Sequence, residues 1–158
     1  MVKAAHKFRL LPARNVVFRD VARGNFESLR SAPADATLSD NLVSYVYDSL
    51  LWIPSFNPSS RKMSAQHGLN LYGITAIGRD GAVVMKNILE TWHRLFQLAP
   101  SVVKLTGHYT QTAKESDGFY EKNSLDRTIL LNDVAAVLDL CKKTIDQREE
   151  EYILHSGI

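Results

Sequence analysis

The chain has 158 residues, 45% of them hydrophobic and 23% charged, with a formal net charge of +2. That length suits one domain able to bury about 70% of the surface its unfolded form exposes, and the composition lies far from the signature of disorder. Lysines and arginines dispersed among acids form no nucleic-acid-binding stripe, and no window approaches the ~18 uninterrupted apolar residues of a membrane span.

The single Cys141 can form no internal disulfide and supplies neither a zinc cluster nor a redox pair, which points to a reducing compartment. The N-terminus lacks the apolar stretch of a secretory signal, so the expected location is the cytoplasm.

Lys7 to Leu11 and then Asn15 to Val21 read as one or two short strands separated at Pro12, with Val16, Val17, Phe18 and Val21 inward. Arg23 to Ala36 reads as connection, with one turn around Phe26 to Leu29. Thr37 or Ser39 can cap a helix to about Ile53, because Leu42, Val43, Val46, Leu50 and Ile53 recur at helical spacing and Pro54 stops it. Pro54 to Gly68, rich in serine and proline, reads as a long loop that is either functional or mobile.

Leu69 to Ile77 has the β-branched density of a central strand, with Gly73 marking a bulge or a close approach. After a turn at Gly78 to Gly81, Asp80 can cap a helix from Ala82 to Ala99 whose apolar stripe is Met85, Ile88, Leu89, Trp92, Leu95 and Phe96. Val102 to Tyr109 reads as a strand, Asp117-Gly118 as a tight turn, and Phe119 with Tyr120 as a short return strand. Asn132 or Asp133 can cap a last helix carrying Val134, Val137, Leu138, Cys141 and Ile145, and the apolar tail from Tyr152 to Ile158 is expected to dock. The sum is a single α+β domain over residues 1–158, three main helices packed on one face of a mostly antiparallel sheet.

The residues assemble no self-evident catalytic or metal site, and no cofactor is expected. The five histidines show no acid–base spacing. His108 at a strand end, paired with His67, is the residue set for a small hydrolase or nuclease as the alternative reading, and Cys141 on an apolar helix face reads as a small buried hydrophobe. Gly73 to Gly81 precedes a helix but carries neither the dinucleotide pattern nor a P-loop lysine. Two acidic groups, Lys114 to Glu121 and Arg148 to Glu151, read either as solvated surface or as electrostatic docking patches for a basic partner. Tyr45, Tyr47, Trp52 and Phe56 can add aromatic anchors where they are exposed.

The run Gly68-Leu-Asn-Leu-Tyr-Gly-Ile-Thr75, then Gly81, Trp92, Phe96 and Pro100, then Leu105-Thr-Gly107 and the closing Ile-Leu-His-Ser-Gly-Ile158, resembles small bacterial immunity proteins that neutralise polymorphic toxins such as contact-dependent inhibition effectors. The likeness covers roughly the C-terminal two-thirds of the chain and rests mostly on turn glycines and core residues. It implies a cytosolic, non-enzymatic antitoxin that binds a cognate protein toxin domain and blocks it. The slight basic charge departs from the acidic character of many such proteins, so either the local acidic groups do the docking or the toxin is not strongly cationic. The expected partner-binding residues are Glu115, Asp117, Glu121, Glu149, Glu150, Phe56 and Arg61, with residues 54–67 adding shape. An oligomeric interaction module, including a homodimer, is the further alternative; nucleic acid and membrane are not expected partners.

Overall fold

The computed structural model describes residues 4–12, 33–59, 63–111, 117–147 and 150–158. In chain order the elements are β1 (Ala5–Pro12), β2 (Ala36–Ser39), α1 (Asp40–Tyr45), α2 (Tyr47–Leu50), β3 (Pro54–Asn57), β4 (Ser64–His67), β5 (Ile74–Ile77), α3 (Arg79–Gln97), β6 (Val102–Thr110), β7 (Phe119–Asp126), α4 (Arg127–Asp146) and β8 (Glu151–Ser156). Six strands form one sheet in the order β2-β1-β8-β5-β3-β4, and β6 with β7 forms a separate two-stranded sheet. Every strand pairing among the described residues is antiparallel.

The expected α+β architecture with an antiparallel sheet is present, but with four helices among the described residues rather than three main ones. The first expected helix is split. Ser39 caps it as read, its hydroxyl accepting from the Leu42 amide at 3.3 Å, but Val46 leaves helical geometry at φ −104°, ψ 11°. There the Ser49 hydroxyl donates to the Val46 carbonyl at 2.8 Å, a local bond that competes with the helical ladder. Leu42, Val43, Leu50 and Ile53 are buried all the same, so the apolar periodicity located the inward face while missing the break.

Sheet register shows how one face became the core. Phe8 stands opposite His155 and Ala36, Leu10 opposite Ile153, and Ile77 opposite Ile153, so these side chains share a face. The helices cover that face: Met85, Leu89, Trp92 and Phe96 of α3 join Leu130, Val134, Val137, Leu140 and Cys141 of α4 in one cluster with Phe8, Leu38, Ile77 and Ile153. Ile74, Ala76 and Leu154, on the opposite face, are also buried, so the centre of the sheet is enclosed on both sides. The expected docking of the tail is met in a strong form, because β8 lies between β1 and β5.

Several boundaries are corrected. Pro54 to Gly68 is not one long loop: β3 and β4 pair across it, from Pro54 opposite His67 to Asn57 opposite Ser64. The strand read over Leu69 to Ile77 is only Ile74–Ile77, because the Asn70 side chain accepts from the Tyr72 amide at 3.1 Å and turns the chain before Gly73. α3 begins at Arg79 behind Gly78, with no side-chain cap, so Asp80 lies in the first turn rather than at the cap. Leu95, placed on the apolar stripe, is 57% exposed. β7 runs well past Phe119 and Tyr120, to Asp126. α4 starts at Arg127, five residues before Asn132, because Asp126 supplies the cap by accepting from the Ile129 amide at 3.0 Å. β1 continues through Pro12 instead of ending before it, at a position where only its carbonyl can serve the ladder. The strand expected over Asn15 to Val21 and the turn over Phe26 to Leu29 lie outside the described residues. No helix among the described residues is long and apolar enough to cross a membrane.

Candidate interaction surfaces

Val103, Leu105 and Leu125 anchor the near end of the β6–β7 hairpin in the core, with Val103 opposite Leu125. The register shifts between Thr106 and Tyr109, a bulge that places Gly107 and His108 out of the ladder. Beyond it Tyr109 pairs with Tyr120 and Thr110 with Phe119. Tyr109, Phe119 and Tyr120 are 56%, 50% and 60% exposed, and the two tyrosine rings meet edge to face with centroids 5.2 Å apart. Gly118 makes this possible, since a Cβ there would fall 2.3 Å from the Tyr109 ring. Asp117 and Glu121 are exposed at the same end of the hairpin, and Glu121 accepts from the Thr110 hydroxyl at 3.3 Å on the face opposite the tyrosine pair. Lys104 and Lys122 stand on the same two strands, so the charge is patterned rather than uniformly acidic.

A second feature lies at the far end of the large sheet. Pro54, Phe56, Ala65, His67, Arg79, Asp80, Glu150 and Tyr152 line much of a cleft of about 280 Å³. The Phe56 and Tyr152 rings stand edge to face at 6.0 Å, and both lie over Gly78, where a Cβ would come within 3.2 Å of Tyr152. The Tyr152 hydroxyl donates to the Glu150 carboxylate at 2.9 Å. Burial and this donation to an anion push the phenol up to about 12, so Tyr152 stays a donor at physiological pH.

The expected docking residues therefore fall into two places. Asp117 and Glu121 both lie on the hairpin, whose strand β6 packs on α1 behind the β2 edge. Phe56 and Glu150 meet in the cleft beside β4, the opposite edge. Glu115, Glu149 and Arg61 lie outside the residues whose side chains are described. His67 is exposed on β4 and His108 is exposed on β6, in different sheets. Of the suggested aromatic anchors, Trp52 and Tyr45 are exposed, and Trp52 borders an apolar groove of about 300 Å³ lined also by Val84, Ile88, Thr91 and Trp92. Cys141 is buried among apolar neighbours, and burial raises its thiol to about 12, which leaves it protonated and unreactive in the folded chain.

Two histidines that sequence reasoning passed over do come together. His6 Nδ1 lies 2.9 Å from His155 Nε2, and His6 Nε2 lies 3.2 Å from Asp40 Oδ1. Both rings are fully buried and nearly parallel, with centroids 5.2 Å apart. The carboxylate can only accept, so His6 carries its proton on Nε2, its Nδ1 accepts from His155 Nε2–H, and His155 Nδ1 is left as a bare acceptor. That atom is buried and finds no partner among the described residues. Burial, then the neighbouring His6, lowers His155 to about 3; burial also lowers His6, against the raising effect of Asp40. The signal was period two: His6 is in phase with buried Phe8 on β1, and His155 with buried Ile153 on β8.

The fold and surfaces define a class no narrower than an α+β domain with an antiparallel sheet and an aromatic hairpin. No protein-family profile matches the chain, and neither a curated protein nor a solved structure matches it.

Proposed function

We propose that this chain is an immunity protein that binds a cognate bacterial toxin domain and blocks it, with the far end of the β6–β7 hairpin as its docking surface. The observation that carries this reading is the aromatic far end of the hairpin, with Tyr109 and Tyr120 paired on one face and Phe119 on the other, each at least half exposed, and the carboxylates of Asp117 and Glu121 exposed at the same end. Tyrosine and phenylalanine offer large contact area at little entropic cost, which suits them as anchors of a tight interface. Carboxylates around them speed encounter with a basic face and fix its register. The resemblance of the glycine and core pattern to toxin-neutralising proteins supplies the biological setting.

The test is capture followed by neutralisation. The chain is used as bait under a high-salt wash, and the C-terminal domain of a stoichiometric partner is expressed alone in a bacterial host. Growth arrest relieved by co-expression of this chain, and no longer relieved by the Asp117→Lys/Glu121→Lys variant, is the expected result. A captured domain whose toxicity this chain leaves untouched contradicts the reading.

An oligomeric module is the second reading, favoured by the apolar groove with Trp52 exposed at its rim. Sedimentation equilibrium decides it, since a concentration-dependent dimer abolished by Trp52→Ser would place the groove in a self-interface.

A further inference from the structure

We propose that the open edge of β4 is a second binding site, which takes an extended segment of a partner protein by strand addition and seats a basic side chain of that segment in the Phe56–Tyr152–Glu150 cleft. This does not rest on the hairpin reading, because the two sites flank opposite edges of the large sheet.

The polarity of the edge follows from three backbone facts. The Gly68 amide donates to the Ile53 carbonyl at 2.8 Å, and β4 continues that register with Gln66 opposite Ser55 and Ser64 opposite Asn57. In an antiparallel ladder, hydrogen-bonded and non-bonded pairs alternate. Gly68, Gln66 and Ser64 therefore turn their main-chain groups toward β3, and Ala65 and His67 turn theirs outward. The position of Pro54 agrees, since it stands opposite His67 in a pair where no amide is needed. β4 ends the strand order, so its outer side has no strand neighbour among the described residues. The run Ser-Ala-Gln-His carries no lysine, acid or proline, the residues that ordinarily block an edge. An added strand meets two N–H and two C=O groups there, the recognition mode of β-augmentation.

The cleft fixes what the segment carries. Ala65 pairs with Phe56, so both point to the same face. A residue added opposite Ala65 also points there, two strand spacings or about 10 Å from the Phe56 backbone. Ala65 is a single methyl, and a long unbranched side chain can lie over it to reach the Phe56 ring. Beyond wait two carboxylates, Asp80 and Glu150, against one guanidinium, Arg79, a balance of 2 − 1 = one net negative charge in the lining. The α3 N-terminus offsets this by only about half a charge. The net negative charge favours lysine or arginine there, and a cation reaching a ring face of Phe56 or Tyr152 is attracted to its π-electrons.

The probe is an acetylated, amidated pentapeptide, Thr-Val-Arg-Val-Thr, titrated into the ¹⁵N-labelled full chain, alongside a copy with glutamate in place of arginine and a copy N-methylated on alternate backbone amides. The expected result is saturable shifts of the Ala65 and His67 amides, with binding about fivefold weaker for the glutamate peptide and absent for the N-methylated one. Glu150→Gln should remove the preference for arginine while leaving the amide shifts. Shifts that spare Ala65 and His67, or that the N-methylated peptide reproduces, overturn strand addition. Equal binding of arginine and glutamate peptides overturns the basic side chain. Protection of the same two amides that grows with protein concentration before any peptide is added assigns the edge to a second copy and overturns the partner. The Asp117→Lys/Glu121→Lys variant should bind the peptide as the wild type does, which separates this site from the hairpin.

Discussion

His155 shows what one buried side chain can do to the stability of the whole fold. In the unfolded chain it takes a proton near pH 6.5, whereas in the folded chain it stays neutral down to about 3. The folded pKa is depressed, so the contribution to stability is complete above pH 6.5 and is lost as pH falls from there toward 3. The slope for this one group reaches about 1.4 kcal/mol per pH unit. Urea unfolding between about pH 7.5 and about pH 4.5 should show it. His155→Leu should cost about 1–3 kcal/mol at neutral pH, because it strands the His6 acceptor, and should flatten the acid dependence. An unaltered acid slope in that variant would contradict the assignment. Legibility at this scale is uneven: helical period marks Cys141 as a buried hydrophobe, whereas His6, His155 and Asp40 come from distant parts of the chain. Sheet register brings the two histidines together, and the start of α1 directly after β2 brings Asp40 to His6.

Among the elements, α4 depends on a cap that propensity alone did not single out. Asp126 ends β7 and starts α4, with its carboxylate accepting from the Ile129 amide. Asp126→Ala should lower stability by about 1 kcal/mol and the melting temperature by about 3 °C. Asp126→Asn should recover most of the loss, and a thermal melt of the three proteins checks it. The long helices and β6 were legible because apolar residues recur over many turns or alternate over several positions, as in Met85, Leu89, Trp92 and Phe96. β3 and β4 were not, since each is a four-residue strand near a sheet edge and carries polar residues at positions a central strand would fill with apolar ones. Of the aromatic surface, the sequence pattern puts Phe119 and Tyr120 on a return strand, but their exposure follows from the hairpin standing outside the large sheet, which no local pattern states.

At the scale of the molecule, the C-terminal strand closes the structure. β8 pairs with β1 on one side and β5 on the other, joining the first strand to the middle of the chain. A chain lacking residues 151–158 should therefore fail to fold, and Cys141 reports it: Ellman's reagent should label the intact protein slowly and the shortened one at once. Slow labelling of the shortened chain would show that the core survives without its central strand.

The central claim is that the hairpin recognises a basic partner, and association kinetics with the captured toxin domain test it most directly. The association rate of the wild type should fall as salt is raised, and Asp117→Lys/Glu121→Lys should associate at least about tenfold more slowly at low salt with little salt dependence left. Equal rates and equal salt dependence for the two proteins would contradict the account and remove the hairpin carboxylates from the interface.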